Sequence, residues 1–386
     1  MEGFVNTMTI NHSCAQYCIN VIRCLLQEKE IPQLPDTVTL QELYAFSKMH
    51  NVEAMIFHCL EQLAMDDNDP IWQDWQNRAA MLLTQSIVQM ADRDTLFSAL
   101  TEAGIRLLPV KGCWMKELYP DIDYRQMSDL DMLIPAEKAQ EAETVMTVLG
   151  FTRDEYEEEI NHSGYFKAPF TEVELHTSLL EEDDGYYDNV WQRISPDESY
   201  QGLYRFSVED EYIYYLLHLN KHLEGSGTGI RSILDSVVYR AAYPEMDRGY
   251  LLEEVEKLRL GEALERIETL ADCWFGSGAE VPERLQNMAE FILSAGSYGT
   301  LEHFSQNQLA QLEKKYKNPV LRAFMYWVIR ICRPHKEMAR TYPVLEKLPV
   351  LLPFFWVYRA FMKVVDRPAA VWHHIKLVFN KGKKHG

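Results

Sequence analysis

The spacing of apolar residues changes near residue 105, and this change limits the folds that the chain can adopt. Before it, apolar residues recur at helical intervals in AQYCINVIRCLLQEK, in a stretch from Thr39 to about Leu63, and in IWQDWQNRAAMLLTQSIVQMADRDTLFSAL. Thr39 and Glu42 have the spacing of a capping box, which predicts the start of a single helix that runs to about Leu63. After it, IRLLPV, SDLDMLIP, GYFKAPF and TEVELHTSL show the short apolar or alternating patterns of strands. These patterns predict a helical unit followed by a small unit that contains a sheet.

Helical patterns return from Ser207 onward, beginning with SVEDEYIYYLLHLNKHL. The predicted fold class is therefore α+β and mostly helical overall, with a small mixed sheet between N- and C-terminal helical units. We expect an N-terminal helical unit over residues 1–104, a sheet-containing core over 105–206, a C-terminal helical unit over 207–335, and a tail over 336–386 that carries prolines, basic residues and aromatic residues.

The composition argues against several classes of function. The 386 residues carry a formal net charge of -20, and an acidic chain repels phosphate backbones, so general nucleic-acid binding is not expected. The seven cysteines include no Cys-x-x-Cys pair, which favours a reducing compartment and argues against a zinc site. The N-terminal MEGFVNTMTINHS lacks a signal-peptide pattern, and no apolar run is long enough to span a membrane. We expect a soluble, cytoplasmic protein.

Two acids lie at alternate positions of the predicted strand SDLDMLIP. Asp129 and Asp131 therefore point to the same face, roughly 6.5 Å apart along the strand. Two like charges so placed repel each other, and a divalent cation is the simplest counter-ion. On spacing alone, a turn or a helix cap remains an alternative interpretation of the Asp-x-Asp.

A third candidate acid comes from the later strand TEVELHTSL. Glu172, Glu174 and His176 alternate along it, so they share a face. Magnesium prefers oxygen ligands and leaves positions for water and phosphates, so Asp129, Asp131 and Glu174 would suffice as metal ligands. His176 is then a candidate contact to the substrate or to a ligand residue, and a hydrogen-bonded structural histidine is the alternative.

The region between Leu107 and Leu179 resembles the polymerase-β-type nucleotidyltransferase superfamily, specifically its uncharacterised "nucleotidyltransferase family 5" branch. The resemblance depends on LPVKG, on the arginine and Asp-x-Asp of RQMSDLDMLI, on the helix ending VLGF and on the strand VELH. It implies transfer of a nucleoside monophosphate from a nucleoside triphosphate, with ATP as the default donor, to a small-molecule or protein acceptor. It also implies Mg²⁺ or Mn²⁺ as cofactor, and Asp129, Asp131 and Glu174 as both catalytic residues and metal ligands.

The phosphate-binding segment differs from that of the better-known superfamily members. They carry Gly-Ser before the acidic strand, whereas this chain has Lys111, Gly112 and Cys113. Gly112 permits close approach of the backbone at a helix start, and we expect the charges of Lys111 and Arg125 to contact the triphosphate. Two other functions stay open: a non-catalytic nucleotide-binding regulator of the antitoxin kind, and an assembly protein that keeps the fold.

Two further features have competing interpretations. His218 and His222 lie one helical turn apart, followed by Arg231 and Asp235 at the same spacing. A two-histidine metal site, a pocket-shaping region as in related chains, and a polar seam between units are the alternatives. The aromatic and basic tail suits either weak contact with a membrane surface or a partner protein, or a helix that packs back on the helical part.

Overall fold

The computed structural model describes residues 11–154, 162–179, 185–198 and 201–366. These residues are mostly helical and contain a small mixed sheet of five strands, which confirms the predicted α+β class. The chain separates into two compact units, one formed by Met1–Asn220 and Gly229–Ser297 and the other by Lys221–Thr228 and Tyr298–Gly386. The four-part division predicted from the sequence stays a prediction.

The N-terminal part is helical, as predicted. Its helices are α1 (His12–Leu26), α2 (Leu40–Met49), α3 (Glu53–Leu60) and α4 (Pro70–Glu102). The Thr39 and Glu42 capping box at the start of α2 is present. The single helix predicted from Thr39 to about Leu63 is wrong, because it is two helices. Asn51 separates them with a φ of 54°, in the left-handed region that asparagine tolerates better than most residues.

The sheet strands and their neighbours follow α4. They are β1 (Leu108–Pro109), α5 (Gly112–Met115), β2 (Asp129–Leu133), α6 (Ala139–Val148), β3 (Thr152–Arg153), β4 (His162–Lys167) and β5 (Thr171–His176). The strand order is β1-β2-β5-β4-β3. Strands β2 and β5 are parallel, and the other neighbouring pairs are antiparallel. The helix α7 (Val190–Arg193) and a separate pair of strands, β6 (Ser195–Pro196) and β7 (Tyr204–Arg205), come next.

Alternation along β2 and β5 gives the sheet one apolar face and one acidic face. The apolar side chains of Leu130 and Met132 on β2, and of Val173 and Leu175 on β5, are buried in one core cluster that also contains residues of α4 and α6. Burial of each large apolar side chain contributes about 1.5–3 kcal/mol relative to exposure. This packing fixes which face of each strand is turned away from the core.

The remaining helices of the first unit follow β7. They are α8 (Val208–Glu224), whose last residues belong to the second unit, α9 (Ile230–Ala242), α10 (Arg248–Lys257), α11 (Gly261–Ala271) and α12 (Glu283–Ala295). Leu108 of β1, Leu133 of β2 and Tyr214 of α8 are buried in the same cluster. This contact places α8 beside the end of β2.

The described residues of the second unit are mostly helical. The helices are α13 (Leu301–Lys315), α14 (Pro319–Ile331), α15 (His335–Thr341), α16 (Val344–Lys347) and α17 (Leu352–Asp366). Phe355 and Trp356 of α17 pack against the cluster around Leu345, so one face of the predicted tail packs on helices of its own unit. Phe354 and Phe361 on α17 are exposed. Their contact with a membrane surface or a partner stays a prediction, and residues from 367 onward lie outside the described residues.

None of the helices in the described part of the chain combines the length and the apolarity that crossing a membrane requires.

Candidate active site

Three carboxylates meet on the acidic face of the sheet. The parallel register of β2 and β5 places Asp131 opposite Glu174 and Asp129 opposite Glu172. Because side chains alternate along both strands, Asp129, Asp131 and Glu174 share this face. One carboxylate oxygen from each lies within 4.8 Å of the others. The structure therefore brings together the three acids that the sequence pattern nominated as metal ligands.

Of the three acids, Asp131 has the closest basic side chains as partners. Its side chain is only 3% exposed, and its Oδ1 lies 2.8 Å from Lys111 Nζ and 2.9 Å from His176 Nε2. Burial alone would raise the pKa of Asp131, but the charge of Lys111 and the hydrogen bond from His176 outweigh burial and hold this pKa well below its usual range. Asp131 is thus a carboxylate held ionised inside the protein.

Asp129 is in the opposite electrostatic situation. Burial and the neighbouring charge of Asp131 raise the pKa of Asp129 to about 6, although Lys111 partly offsets this shift. The Ser128 hydroxyl donates a hydrogen bond of 2.8 Å to Asp129 Oδ1. The negative charge of Asp131 is therefore balanced by its basic neighbours, whereas that of Asp129 is balanced only in part. The site lacks positive charge beside Asp129.

Two histidines adjoin Glu174. His176 Nε2 lies 3.2 Å from Glu174 Oε2, and His162 Nε2 lies 3.9 Å from Glu174 Oε1. The burial of His176 lowers its pKa, but the hydrogen bonds with Asp131 and Glu174 outweigh this and raise it. His162 is not among the residues predicted for the site, because the pattern GYFKAPF placed the start of this strand at Gly164. The preceding His-Ser continues the alternation of β4 and was the available signal.

Lys111 and Gly112 form the turn from β1 into α5. Lys111 has a φ of 53°, in the left-handed region that few residues with a side chain occupy, and this conformation precedes the first turn of α5. A Cβ on Gly112 would lie 2.6 Å from Met127 Sδ and 3.1 Å from Arg125 Nη1. Any larger residue here would require the Met127 side chain to move. The turn therefore places Lys111 Nζ on Asp131 and brings the Gly112 backbone next to Arg125.

A cavity of about 520 Å³ opens beside the acids. Its lining includes Asp129, Glu172, Glu174, Arg153 and Phe166. A volume of several hundred cubic ångströms is typical of small-molecule sites. The cavity is large enough to hold a ligand against Asp129 and Glu174.

Comparison with known families identifies the chain. The model of a family described as "uncharacterised nucleotidyltransferase" matches residues 36–276. The chain belongs to this family. The resemblance seen in the sequence is confirmed, and membership supports a general nucleotidyltransferase function. No curated protein and no solved structure matches the chain.

The family match extends well beyond the segments that carried the resemblance. The match begins before α2 and ends after α11. It therefore includes helices that precede the sheet in the chain and helices that follow it, as well as the acids. Helices α2–α4 and α8–α11 are thus part of the family unit, whereas the match does not reach α12 or the helices of the second unit.

Arg125 is held by one of these family helices. Its Nε and Nη2 donate to the two carboxylate oxygens of Asp235 on α9, at 2.8 and 3.0 Å, and the Tyr119 hydroxyl donates to the same carboxylate at 2.7 Å. Arg125 and Asp235 are both buried. Arg231 donates to the carbonyl of Gln126. The Arg231 and Asp235 region therefore packs against the segment that leads into β2.

A buried lysine also positions this segment. Lys116 is fully buried, and its Nζ donates to the carbonyl of Arg125 and to the Ser86 hydroxyl, both at 2.9 Å. Burial and the nearby Arg125 lower the pKa of Lys116 to about 7. Nothing in the spacing of KGCWMKELY predicts that Lys116 is buried.

His218 and His222 belong to no candidate metal group. Among the described residues, the groups of His, Cys, Asp and Glu whose ligand atoms lie close enough to hold an ion contain neither histidine. Within the part of the chain that the structure describes, the two-histidine site considered from the sequence therefore has no third ligand.

Proposed function

We propose that this protein transfers a nucleoside monophosphate from a nucleoside triphosphate, with ATP as the first donor to test, to a hydroxyl group of a small-molecule or protein acceptor. The observation that supports this best is the meeting of Asp129, Asp131 and Glu174 across β2 and β5 in a chain of a nucleotidyltransferase family. A family name alone would not locate the chemistry, and three acids alone would not identify it.

The residues suit a hard divalent cation. The donor set of Asp129, Asp131 and Glu174 offers carboxylate oxygens only, which are the ligands that Mg²⁺ and Mn²⁺ favour. The crowding that raises the pKa of Asp129 would be relieved by such a cation. When bound, the cation polarises phosphate oxygens and lowers the pKa of the attacking hydroxyl.

Each side chain of the site has a separate role in this proposal. Asp131, held ionised, and Asp129 would hold the cation on β2, and Glu174 on β5 would accept the proton of the acceptor hydroxyl. A cation held by Asp131 would replace the contact with Lys111, whose ammonium group would then be available to phosphate oxygens. Arg125 is oriented by Asp235 through two of its nitrogens, so that Nη1 stays beside Gly112.

One observation favours a second candidate, a nucleotide-binding regulator without transfer. Lys111 Nζ lies on Asp131 at the place where a cation would bind. In addition, Cys113 stands where better-known relatives have serine, and its buried thiol lies 3.4 Å from the carbonyl of Asp131 rather than facing a ligand. If Lys111 keeps this position, nucleotide binding persists without catalysis.

A transfer assay separates the two candidates. The full chain is incubated with each α-labelled nucleoside triphosphate, Mg²⁺ or Mn²⁺, and a cell extract as source of acceptors, and both pyrophosphate and labelled product are measured. Metal-dependent release that is lost in Asp131→Asn supports transfer. Nucleotide binding without pyrophosphate release under every condition supports the regulator.

A further inference from the structure

A second group of ligand-type side chains lies beside the three acids. One nitrogen from His162, one from His176 and a carboxylate oxygen of Glu174 all lie within 4.8 Å of one another. Glu174 therefore belongs to two groups, one made of oxygens alone and one made of two imidazole nitrogens and a carboxylate. The chemistry proposed above uses neither histidine as a metal ligand.

The antiparallel pairing of β4 and β5 creates this second group. The register places His162 directly opposite His176 and Gly164 opposite Glu174. Because alternate residues of a strand share a face, the two histidines and Glu174 lie on the same side of the sheet. Gly164 adds no side chain opposite Glu174. A register slip of one residue would move His162 to the other face, so the core packing of Tyr165 and Val173 also fixes this arrangement.

The distances approach those of a coordination shell. Bonds of about 2.0–2.1 Å from a metal to nitrogen or oxygen place neighbouring ligand atoms roughly 3.0–3.4 Å apart. The distance from His176 Nε2 to Glu174 Oε2 is 3.2 Å, and that from His162 Nε2 to Glu174 Oε1 is 3.9 Å. The two imidazole ring centroids are 5.0 Å apart. A bound ion would require the nitrogen of His162 to lie closer to Glu174 than the present 3.9 Å.

We propose that His162, Glu174 and His176 form a cation site, adjacent to the carboxylate site and joined to it by Glu174, that takes a transition metal such as Zn²⁺ or Co²⁺. Two imidazoles with one carboxylate make a donor set that suits these ions, whereas Mg²⁺ prefers oxygen ligands. His176 Nε2 contacts Asp131 and Glu174 in this structure, and metal binding exchanges its contact with Asp131 for the ion.

The inference rests on the proposed function only through the shared Glu174. If both sites are filled, Glu174 bridges two unlike cations, one with oxygen ligands only and one with nitrogen ligands. The oxygen site is then the one that responds to Mg²⁺, and the histidine site is the one that selects among transition metals.

Spectroscopic titration with Co²⁺ tests the site directly. The full chain, prepared without a polyhistidine tag, is titrated with Co²⁺ while visible absorption is followed, and Zn²⁺ and Mg²⁺ are added as competitors. The wild type should bind Co²⁺ with the spectrum of a nitrogen-ligated ion, and Zn²⁺ should displace it far better than Mg²⁺. His162→Ala should weaken the affinity at least about tenfold, since loss of a supporting residue alone costs that much.

Matched variants control for folding and for other histidines. His12→Ala removes an exposed histidine of α1 and should leave Co²⁺ affinity unchanged. His162→Gln keeps a polar side chain of similar length on β4 but lacks the imidazole, so it should match His162→Ala in Co²⁺ affinity. Both His162 variants should keep the circular dichroism spectrum of the wild type and an affinity for Mg-ATP within about twofold.

The outcomes separate this inference from the proposed function. Absence of Co²⁺ binding, binding that survives in both His162 variants, or an equal loss in Asp129→Asn and His162→Ala would overturn the histidine site. Co²⁺ binding that depends on His162 and persists in Asp129→Asn supports it. If the wild type shows that Co²⁺ behaviour yet never binds Mg-ATP, the proposed function fails while the metal site stands.

Discussion

Lys111 Nζ lies 2.8 Å from Asp131 Oδ1 inside the candidate active site. The pair joins the turn after β1 to the middle of β2, and the Asp131 side chain is almost completely buried. A lysine therefore supplies the positive charge that this carboxylate needs when no cation is bound.

Replacing Lys111 by methionine should destabilise the metal-free protein. Loss of one partner of a buried pair costs about 3–5 kcal/mol, and His176 still contacts Asp131, so we expect a loss of about 2–3 kcal/mol. Urea denaturation with and without Mg²⁺ measures it. Mg²⁺ should stabilise Lys111→Met more than the wild type, because the ion supplies the missing charge. Equal effects of Mg²⁺ on both proteins would show that the ion does not bind at Asp131.

The two aspartates should respond oppositely to removal of charge. Asp129→Asn relieves repulsion with Asp131 and should stabilise the metal-free protein by about 1 kcal/mol, whereas Asp131→Asn leaves Lys111 without its partner and should destabilise it. Both variants should lose Mg²⁺-dependent ATP binding, because an amide lacks the charge that a hard cation requires. Thermal unfolding and calorimetric titration provide the two measurements. Undiminished Mg-ATP affinity in both variants would exclude them as ligands.

His58, which is not part of the candidate active site, is expected to make the stability of the protein depend on pH. The hydrogen bond of 2.9 Å with Asp123, together with Glu61, raises the pKa of His58 to about 9 despite its burial. The folded pKa exceeds the unfolded value of about 6.5, so the stabilisation is complete below pH 6.5 and disappears as the pH rises through 9. The group is partly solvated, so we expect about 1 kcal/mol.

His58→Gln tests this pH dependence. We compare the free energy of unfolding of the wild type with that of His58→Gln. The difference should decrease by about 1 kcal/mol between pH 6 and pH 9.5. Since both proteins share every other titrating group, the difference isolates His58. A difference that stays constant over this range would show that the ion pair with Asp123 does not form in solution.

Arg125 is expected to contact the triphosphate of ATP and not its nucleoside part. Its Nη1 lies beside Gly112, so Arg125→Ala should weaken ATP binding by about tenfold or more and leave adenosine binding within about twofold. Asp235→Asn is the matched control, because it removes the charge that orients Arg125 while keeping the guanidinium. It should have a smaller effect on ATP. Equal losses of ATP and adenosine affinity in Arg125→Ala would assign Arg125 a purely structural role.

Local patterns were sufficient to predict part of the site. Alternation places Asp129 and Asp131 on one face of β2, and the same rule places Glu174 and His176 together on β5. The parallel pairing of the two strands was not predicted, because no local pattern in the sequence contains it. The register in which Asp131 meets Glu174 follows from core packing between the strands.

The remaining features depend on contacts between distant residues. Lys111 and Asp131 are 20 positions apart, and Arg125 and Asp235 are 110 apart, so no spacing rule links either pair. His162 was missed because its strand begins two residues earlier than the apolar pattern suggests. The break at Asn51 was missed because an asparagine is compatible with a helix, and only its left-handed backbone reveals the end of α2.

The most direct test of the account is pyrophosphate release by Glu174→Gln compared with the wild type, measured with the same labelled nucleotide, cation and acceptor extract. Glu174 lies on β5, across from the two aspartates that anchor the cation on β2, so its loss should spare Mg-ATP binding within a few fold and abolish nearly all transfer. Metal-dependent transfer by the wild type with this loss in the variant is the predicted result. Transfer that survives at the wild-type rate in Glu174→Gln would contradict the assignment of the third acid and, with it, the proposed mechanism.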